Sequence, residues 1–379
     1  MKKRINAASG ISFFIYAATA IITPICILEI GKTFSTNLTA GGGIETARTL
    51  ILFLVLLISG ALAHKWGKKA LLSFGLYCMA GALFLFLFVT SYFQVLFLML
   101  IIGFGGGFIE ALVNPLIQEI HQEEGGKYLN LINSFYSIGV MVMVLVYGEL
   151  LSRGVPWRAL YAITGSGCLA AALLFQTAPF PKEHSDIHFL SEFRSIMKLK
   201  KFWLFAAAIF FGASVESAFS FWSAGFIQLY HSELPRAGAI GVAVFAGMMA
   251  TGRLLSSRWE KLIGLNSVMM ISAGIGIIVS FFIRYSESLY AVYLFLGAAG
   301  LSAACFWPSI LAEAGRKMKA DTTILFVLLA CIGIAGFGFA PFIMGMIGDA
   351  AGLKTAFLTM PGLFTVLLIL LIFERRIEA

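Results

Sequence analysis

The sequence predicts an all-α polytopic membrane protein, with twelve transmembrane helices in two six-helix, pseudo-symmetric bundles. Three observations predict it. The chain is 60% hydrophobic and only 12% charged, with a mean hydropathy of +0.93. A water-soluble domain of that composition would expose large apolar patches. Apolar runs long enough to cross a bilayer, which takes about 20 residues, recur along the whole chain. Finally, the second half of the sequence repeats features of the first in the same order.

The expected spans are roughly 8–33, 41–63, 69–89, 93–119, 128–151, 157–177, 202–229, 237–258, 266–284, 288–314, 322–348 and 355–373. Short connections make neighbouring helices antiparallel. The first run follows the basic start MKKRINAASG, as in a signal peptide. It is too long for that role, and its removal would break the even helix count, so it is read as the first span. The stretch from Pro179 to Lys201 is different: it holds Lys182, four further basic residues and two histidines. It divides the chain into a bundle over 1–178, a linker over 179–201 and a bundle over 202–379.

Lysine and arginine set the orientation. With the amino terminus inside, 19 fall on inner segments and 7, Arg48 among them, on outer ones, leaving Arg253 within a span. Both termini are then cytoplasmic, in the cytoplasmic membrane of a bacterium. The net charge of +8 is a topology signal. No basic stripe with interleaved aromatics stands in a soluble segment, so nucleic acid is not an expected partner. Five cysteines, Cys26, Cys78, Cys168, Cys305 and Cys331, sit in apolar runs without metal-ligand or redox spacing and read as core residues.

The repeat is read from glycine and proline. GGGFIEALVNPLIQE in the fourth span aligns with AAGLSAACFWPSILAE in the tenth, and Gly107 to Pro115 and Gly300 to Pro308 are both eight steps. In the fifth and eleventh spans, Gly139 and Gly148 match Gly336 and Gly345. A duplication of this kind is a transporter pattern, with the site expected between the halves near mid-membrane.

Polar residues inside the spans mark the candidate site. Glu110, Asn114 and Gln118 are four apart and share one helix face. A buried acid costs roughly 2.5–3.5 kcal/mol at mid-membrane on insertion scales, by analogy with Asp, so that face is expected to line protein or a wet cavity. There Glu110 could exchange a proton; the plainer alternative is a structural hydrogen bond. The fifth span adds Asn130, Asn133 and Ser137, with Tyr136 beside them. The seventh adds a stripe of Glu216, Ser220 and Ser223, flanked by Phe219 and Trp222. Amides and hydroxyls can fix the hydroxyls of a solute, and aromatic faces can cover its apolar side. Phe306 and Trp307, before Pro308, are candidates for such a face, although in a chain with 36 Phe most aromatics serve packing. Arg253 either snorkels to the inner interface or pairs with a carboxylate, Glu313 being nearest by depth. Glu29 and Arg48 form a second expected pair near the outer ends of their helices.

The loop after the second span reads GALAHKWGKK, from Gly60 to Lys69. It resembles the major facilitator superfamily signature G-x-L-A-D-R-x-G-R-R. Within that superfamily, GFIEALVNP followed by YLNLINSFYSIG resembles the fucose/galactose/glucose–proton symporter branch. The resemblance implies the major facilitator fold, assigns Gly60, His64, Gly67 and Lys68 to an inner gate and favours Glu110 as a proton-coupling group. The placement of polar and aromatic residues in the spans adds Glu216 as a second proton-coupling candidate, with a structural role as the alternative, Asn114, Asn130, Asn133, Tyr136, Ser220, Trp222, Phe306 and Trp307 as candidate solute contacts, and Arg253 and Glu313 as gating candidates. Two departures stand out. His64 occupies the signature's acidic position, and the acid that the fucose permease-like branch carries shortly before Pro24 is missing, since Ala20, Ile21, Ile22 and Thr23 stand there.

GFGGGF lacks the preceding strand and following acid of a dinucleotide fingerprint, and no P-loop, triad or metal cluster is present. The expectation is a non-enzymatic, cofactor-free, monomeric secondary transporter that takes up a monosaccharide or similar solute with a proton. Two alternatives stay open: a proton-driven exporter of drugs or metabolites, favoured by the aromatic load and the missing first-helix acid, and a membrane sensor that moves nothing.

Overall fold

In hydrocarbon, no water satisfies a backbone N–H or C=O, so a spanning segment must close its own hydrogen bonds. The computed structural model meets that demand with helices throughout. It describes residues 2–121, 125–178, 189–318, 320 and 322–376, and twelve of its helical segments are long and apolar enough to cross a membrane. The helices group into two compact units, Met1–Thr36 with Gly43–Asp186, and Asn37–Gly42 with Ile187–Ala379.

Unit 1 holds α1 (Lys2–Phe34), α2 (Leu38–Trp66), α3 (Lys68–Leu85), α4 (Tyr92–Ile120), α5 (Gly125–Ser152) and α6 (Trp157–Thr177), with a 3₁₀ turn at Phe86–Phe88 after α3. Ser91 starts α4 with a capping box: its hydroxyl accepts from the Gln94 N–H while the Gln94 side chain reaches back to the Ser91 N–H. Along α2, Leu50, Leu54 and Ile58 recur every four residues on an exposed apolar stripe, the composition a lipid-facing surface needs.

Unit 2 holds α7 (Phe189–Met197), α8 (Lys200–Tyr230), α9 (Pro235–Ile263), α10 (Leu265–Ile283), α11 (Leu289–Ala303), α12 (Phe306–Lys317), α13 (Thr322–Ala351), α14 (Leu353–Ala356) and α15 (Thr359–Arg376). It also takes the first turn of α2, where the backbone N–H groups of Leu38 and Thr39 donate to the Asp349 carboxylate at 2.8 and 2.9 Å. An acid at a helix N-terminus satisfies otherwise orphaned donors.

Three features depart from the sequence expectation. Helix α7 lies inside the stretch read as a linker. The tenth span is two helices, α11 and α12, because Pro308 has no N–H to donate to the Ala304 carbonyl and the chain turns at Ala304 and Cys305. Pro361 stands at the same third position of α15, after the break that separates it from α14. Proline is tolerated in the first turn of a helix, where its missing donor has no partner anyway. By contrast Pro341 lies inside an unbroken α13. There the Phe337 carbonyl, deprived of its helical donor, accepts from the Ser217 hydroxyl at 2.6 Å.

The repeat is built into each unit separately. A methyl group on Gly107 of α4 would collide with Val55 of α2, and one on Gly300 of α11 would collide with the Phe245 carbonyl of α9. Likewise Gly139 of α5 lies against the Phe14 backbone of α1, and Gly336 of α13 against the Phe210 backbone of α8. In both units the fourth span therefore packs on the second, and the fifth on the first, through matched glycines.

Candidate functional site

The glycine run of α4 decides where Glu110 goes. Cβ atoms on Gly103, Gly105 and Gly106 would strike the Arg48 carbonyl of α2, the Gly75 carbonyl of α3 and the Tyr16 ring of α1, respectively. Three helices thus crowd α4 one turn before the carboxylate. Small residues allow such contact between membrane helices. Glu110 itself is half-buried.

Around it the structure gathers residues of four helices. Arg48, well inside α2, is 6% exposed and Glu45 is 4% exposed. Arg48 Nε donates to Glu45 Oε2 at 3.0 Å and Nη2 donates to Oε1, a two-pronged ion pair. The Arg48 charge acts on Glu110, and Tyr16 and Tyr136 lie in the same electrostatic neighbourhood. The Tyr16 and Tyr136 rings are 5.7 Å apart, and Tyr136 meets Phe13 edge-on at 6.5 Å. One turn beyond Glu110, the Asn114 side-chain carbonyl accepts from Asn133 Nδ2 at 3.0 Å, and Asn133 also donates to the Leu129 carbonyl at 2.8 Å. Asn133 is exposed, and Asn114 and Tyr136 are half-buried. Asn130 belongs to α5, but its side chain lies outside the described residues.

This arrangement corrects one expected pair. Arg48 is not an outer-surface cation joined to Glu29; it is held by Glu45 of its own helix, while Glu29 pairs with Lys32 at 2.7 Å. Spacings of three residues put each pair on one helix face. The signal was present in GIETARTL, an acid and a base three apart at the edge of an apolar run.

In unit 2, Glu216 and Arg253 meet at 3.3 Å across α8 and α9. Glu313, the depth-matched partner expected for Arg253, is 1% exposed and is taken by Arg316 at 2.7 Å and Lys317 at 2.6 Å, both from α12. Lys317 also bonds Glu374 of α15, which accepts from Asn266 of α10 at 2.7 Å. That network ties three helices at one end of the unit. Among the aromatic candidates, Trp222 is fully buried with Nε1 donating to the Pro341 carbonyl at 3.0 Å, and Phe306 is 1% exposed. Trp307 is half-buried against Phe337 and over Gly333, and Ser220 is half-buried on the Glu216 face. The structure thus brings Glu216 to Arg253, and sets Trp222 and Phe306 into the packed interior.

At the α2–α3 connection, Gly67 has φ +83°, a left-handed conformation that only glycine adopts without strain. Gly60 has no such demand, and nothing lies near its absent Cβ. His64 is exposed. Lys68 pairs with Glu119 at the end of α4, and Lys69 donates to the Ala178 carbonyl at 2.8 Å. No cluster of three or more His, Cys, Asp or Glu able to hold a metal occurs among the described residues.

Comparison with known proteins agrees with this architecture. A family profile described as "Major Facilitator Superfamily" matches residues 8–334. The membrane protein MosC of Rhizobium meliloti is 21% identical over 362 residues, covering 94% of this chain and 87% of its own. A glucose/galactose transporter of Brucella abortus biovar 1 (strain 9-941) is 24% identical over 369 residues, covering 91% and 88%. The crystal structure of the nucleoside transporter NupG superposes with a TM-score of 0.81 at 16% identity, covering 98% of both chains.

Proposed function

Because the chain belongs to the Major Facilitator Superfamily and is thereby a multi-pass membrane transporter, we propose that it takes up a monosaccharide or related small hydrophilic solute together with a proton, by alternating access. One observation carries this reading: α4 and α5 present Glu110, Asn114, Asn133 and Tyr136 on neighbouring turns, with the Asn114–Asn133 hydrogen bond already joining the two helices. An acid in that setting can take up and release a proton, paired amides can exchange their mutual bond for solute hydroxyls, and the Tyr136 ring can lie against an apolar sugar face. The glucose/galactose transporter among the relatives supports the solute class.

In unit 2 we assign the Glu216–Arg253 contact to proton coupling and gating, with Ser220 and Trp307 as the accessible solute-facing candidates. The Gly67 turn and the Lys68–Glu119 pair are assigned to an inner gate. The protein is placed in the bacterial cytoplasmic membrane as a monomer, with both termini cytoplasmic; the bias of basic residues and the bacterial relatives support this. Proteoliposomes loaded at one pH and diluted into a lower one test the proposal. Inward accumulation of a labelled hexose or pentose, abolished by a protonophore, is the expected result. Gradient-driven movement outward only, or no flux with any of a panel of sugars, would refute it.

A further inference from the structure

Arg253 is an under-bonded charge. A guanidinium has five N–H donors. Among the described residues, Nη2 reaches Glu216 Oε2 at 3.3 Å, the long end of hydrogen-bond range, and the Met249 sulfur at 3.8 Å. Nε is buried and has no acceptor. Glu216 offers one oxygen to this contact, so the pair is only half made. Ionised groups inside a membrane span are costly, and those that persist mark solute or ion sites. Snorkelling does not account for this one. An arginine that snorkels turns its head to the near interface, and Arg253 lies close to the end of its span at Ser256. It turns instead to Glu216, about 24 Å along α8 from Lys200 and near the middle of that 31-residue helix. The Arg253 side chain is 38% exposed; a charge at that depth has no place against hydrocarbon, so its open side faces water.

We propose that Arg253 is the receptor for a carboxylate carried by the solute, so that sugar acids are preferred over their neutral parents. In the solute-free protein Glu216 keeps that carboxylate's place. A solute carboxylate accepts two parallel N–H bonds from the guanidinium, where Glu216 accepts one. Glu216 is displaced, and the half-buried Ser220 hydroxyl, one turn along α8, meets the hydroxyls of the sugar. Charge selects a carboxylate over a phosphate. Arg253 and Glu216 cancel, and a monoanion adds one negative charge, which a single proton on the displaced Glu216 cancels. A phosphate monoester brings about −1.5 to −2 near neutral pH and leaves the site negative. The inference rests on the reading of Glu216 and Ser220 as proton-coupling and solute-facing groups, and it names the class of solute they serve.

Calorimetric binding to the full-length protein in detergent, at one fixed pH, tests it. The probes are matched pairs, glucose with glucuronate and galactose with galacturonate, and glucose 6-phosphate as the phosphate arm. In the wild type, at least one acid binds about ten-fold or more tightly than its neutral parent. In Arg253→Gln that ratio falls to about one. In Glu216→Gln, which removes the competing carboxylate, the acid binds several-fold more tightly than in the wild type, a gain that a merely structural pair does not give. Should Arg253→Gln not fold, the direction of change in Glu216→Gln decides alone. Equal affinity within both pairs, no binding by either acid, an unchanged ratio in Arg253→Gln, or weaker acid binding in Glu216→Gln overturns the proposal. Tighter binding of glucose 6-phosphate than of glucuronate overturns the choice of a carboxylate. Flux is scored separately in proteoliposomes. A preference for the acid without flux upholds the Arg253 site and overturns the uptake reading; flux of a neutral sugar with no preference for its acid does the reverse.

Discussion

Each unit carries an arginine inside a membrane helix next to a carboxylate, and the two are built to different standards. Arg48 is closed on Glu45 by two bonds and is 6% exposed. Arg253 reaches Glu216 through a single 3.3 Å contact, with its side chain 38% exposed, and its buried Nε has no hydrogen-bond partner. A pair fully withdrawn from water must be complete, because a single charge left behind has nowhere to go. A pair at the edge of solvent can open and close at small cost. The unit 1 arginine is thus a fixed part of a closed cluster, whereas the unit 2 arginine can let go.

That contrast can be broken by mutation. Arg48→Met should destabilise the protein by about 3–5 kcal/mol, because Glu45 is left charged and buried, and Arg48→Met with Glu45→Leu should recover most of the loss. Thermal unfolding in detergent measures both; a single variant as stable as the wild type would mean that the pair is not closed. Gly103→Ala comes next. Its methyl group would meet the Arg48 carbonyl, so overpacking by about 1–3 kcal/mol is expected, with α2 pushed from α4 and transport reduced alongside. Ser217→Ala should cost about 1–3 kcal/mol, by leaving the Phe337 carbonyl without its donor. Arg253→Met should change stability least, by about 1 kcal/mol or less, and should alter the rate of solute exchange instead. If Arg253→Met unfolds the protein as Arg48→Met does, the two arginines are equivalent and the contrast fails.

The spans were legible because each is a long uncharged run, and a bilayer imposes one length on all of them. The matched glycines were legible for a related reason: helices that meet at backbone distance tolerate no side chain, so Gly107 and Gly300 had to recur in step with Pro115 and Pro308. Helix α7 was hidden because its mixed residues carry no membrane-length signal. The break at Ala304 and Cys305 was hidden because Pro115, Pro24 and Pro341 stand inside helices that do not break; a proline alone does not say which will happen.

The candidate site was legible in part. Four-residue spacing places Glu110 and Asn114 on one face, and the Asn133 bond follows from that. The partners of the arginines were not legible by depth. A second span starting at residue 41 puts Arg48 near the outer surface, yet α2 begins at Leu38 and buries it. Depth favours Glu313 for Arg253, but Glu313 is satisfied by Arg316 and Lys317 within its own helix. Residues three and four apart face each other on one helix whatever its neighbours, and that rule predicts both Glu45–Arg48 and Glu29–Lys32.

The most direct measurement of the central claim is sugar transport by Glu110→Gln in proteoliposomes, run in two modes on one preparation. Accumulation against a gradient requires a proton to be carried, whereas exchange of labelled for unlabelled sugar at equal pH does not. The account predicts that Glu110→Gln loses accumulation by about ten-fold or more while exchange persists. Accumulation that survives the substitution at the wild-type level would contradict it.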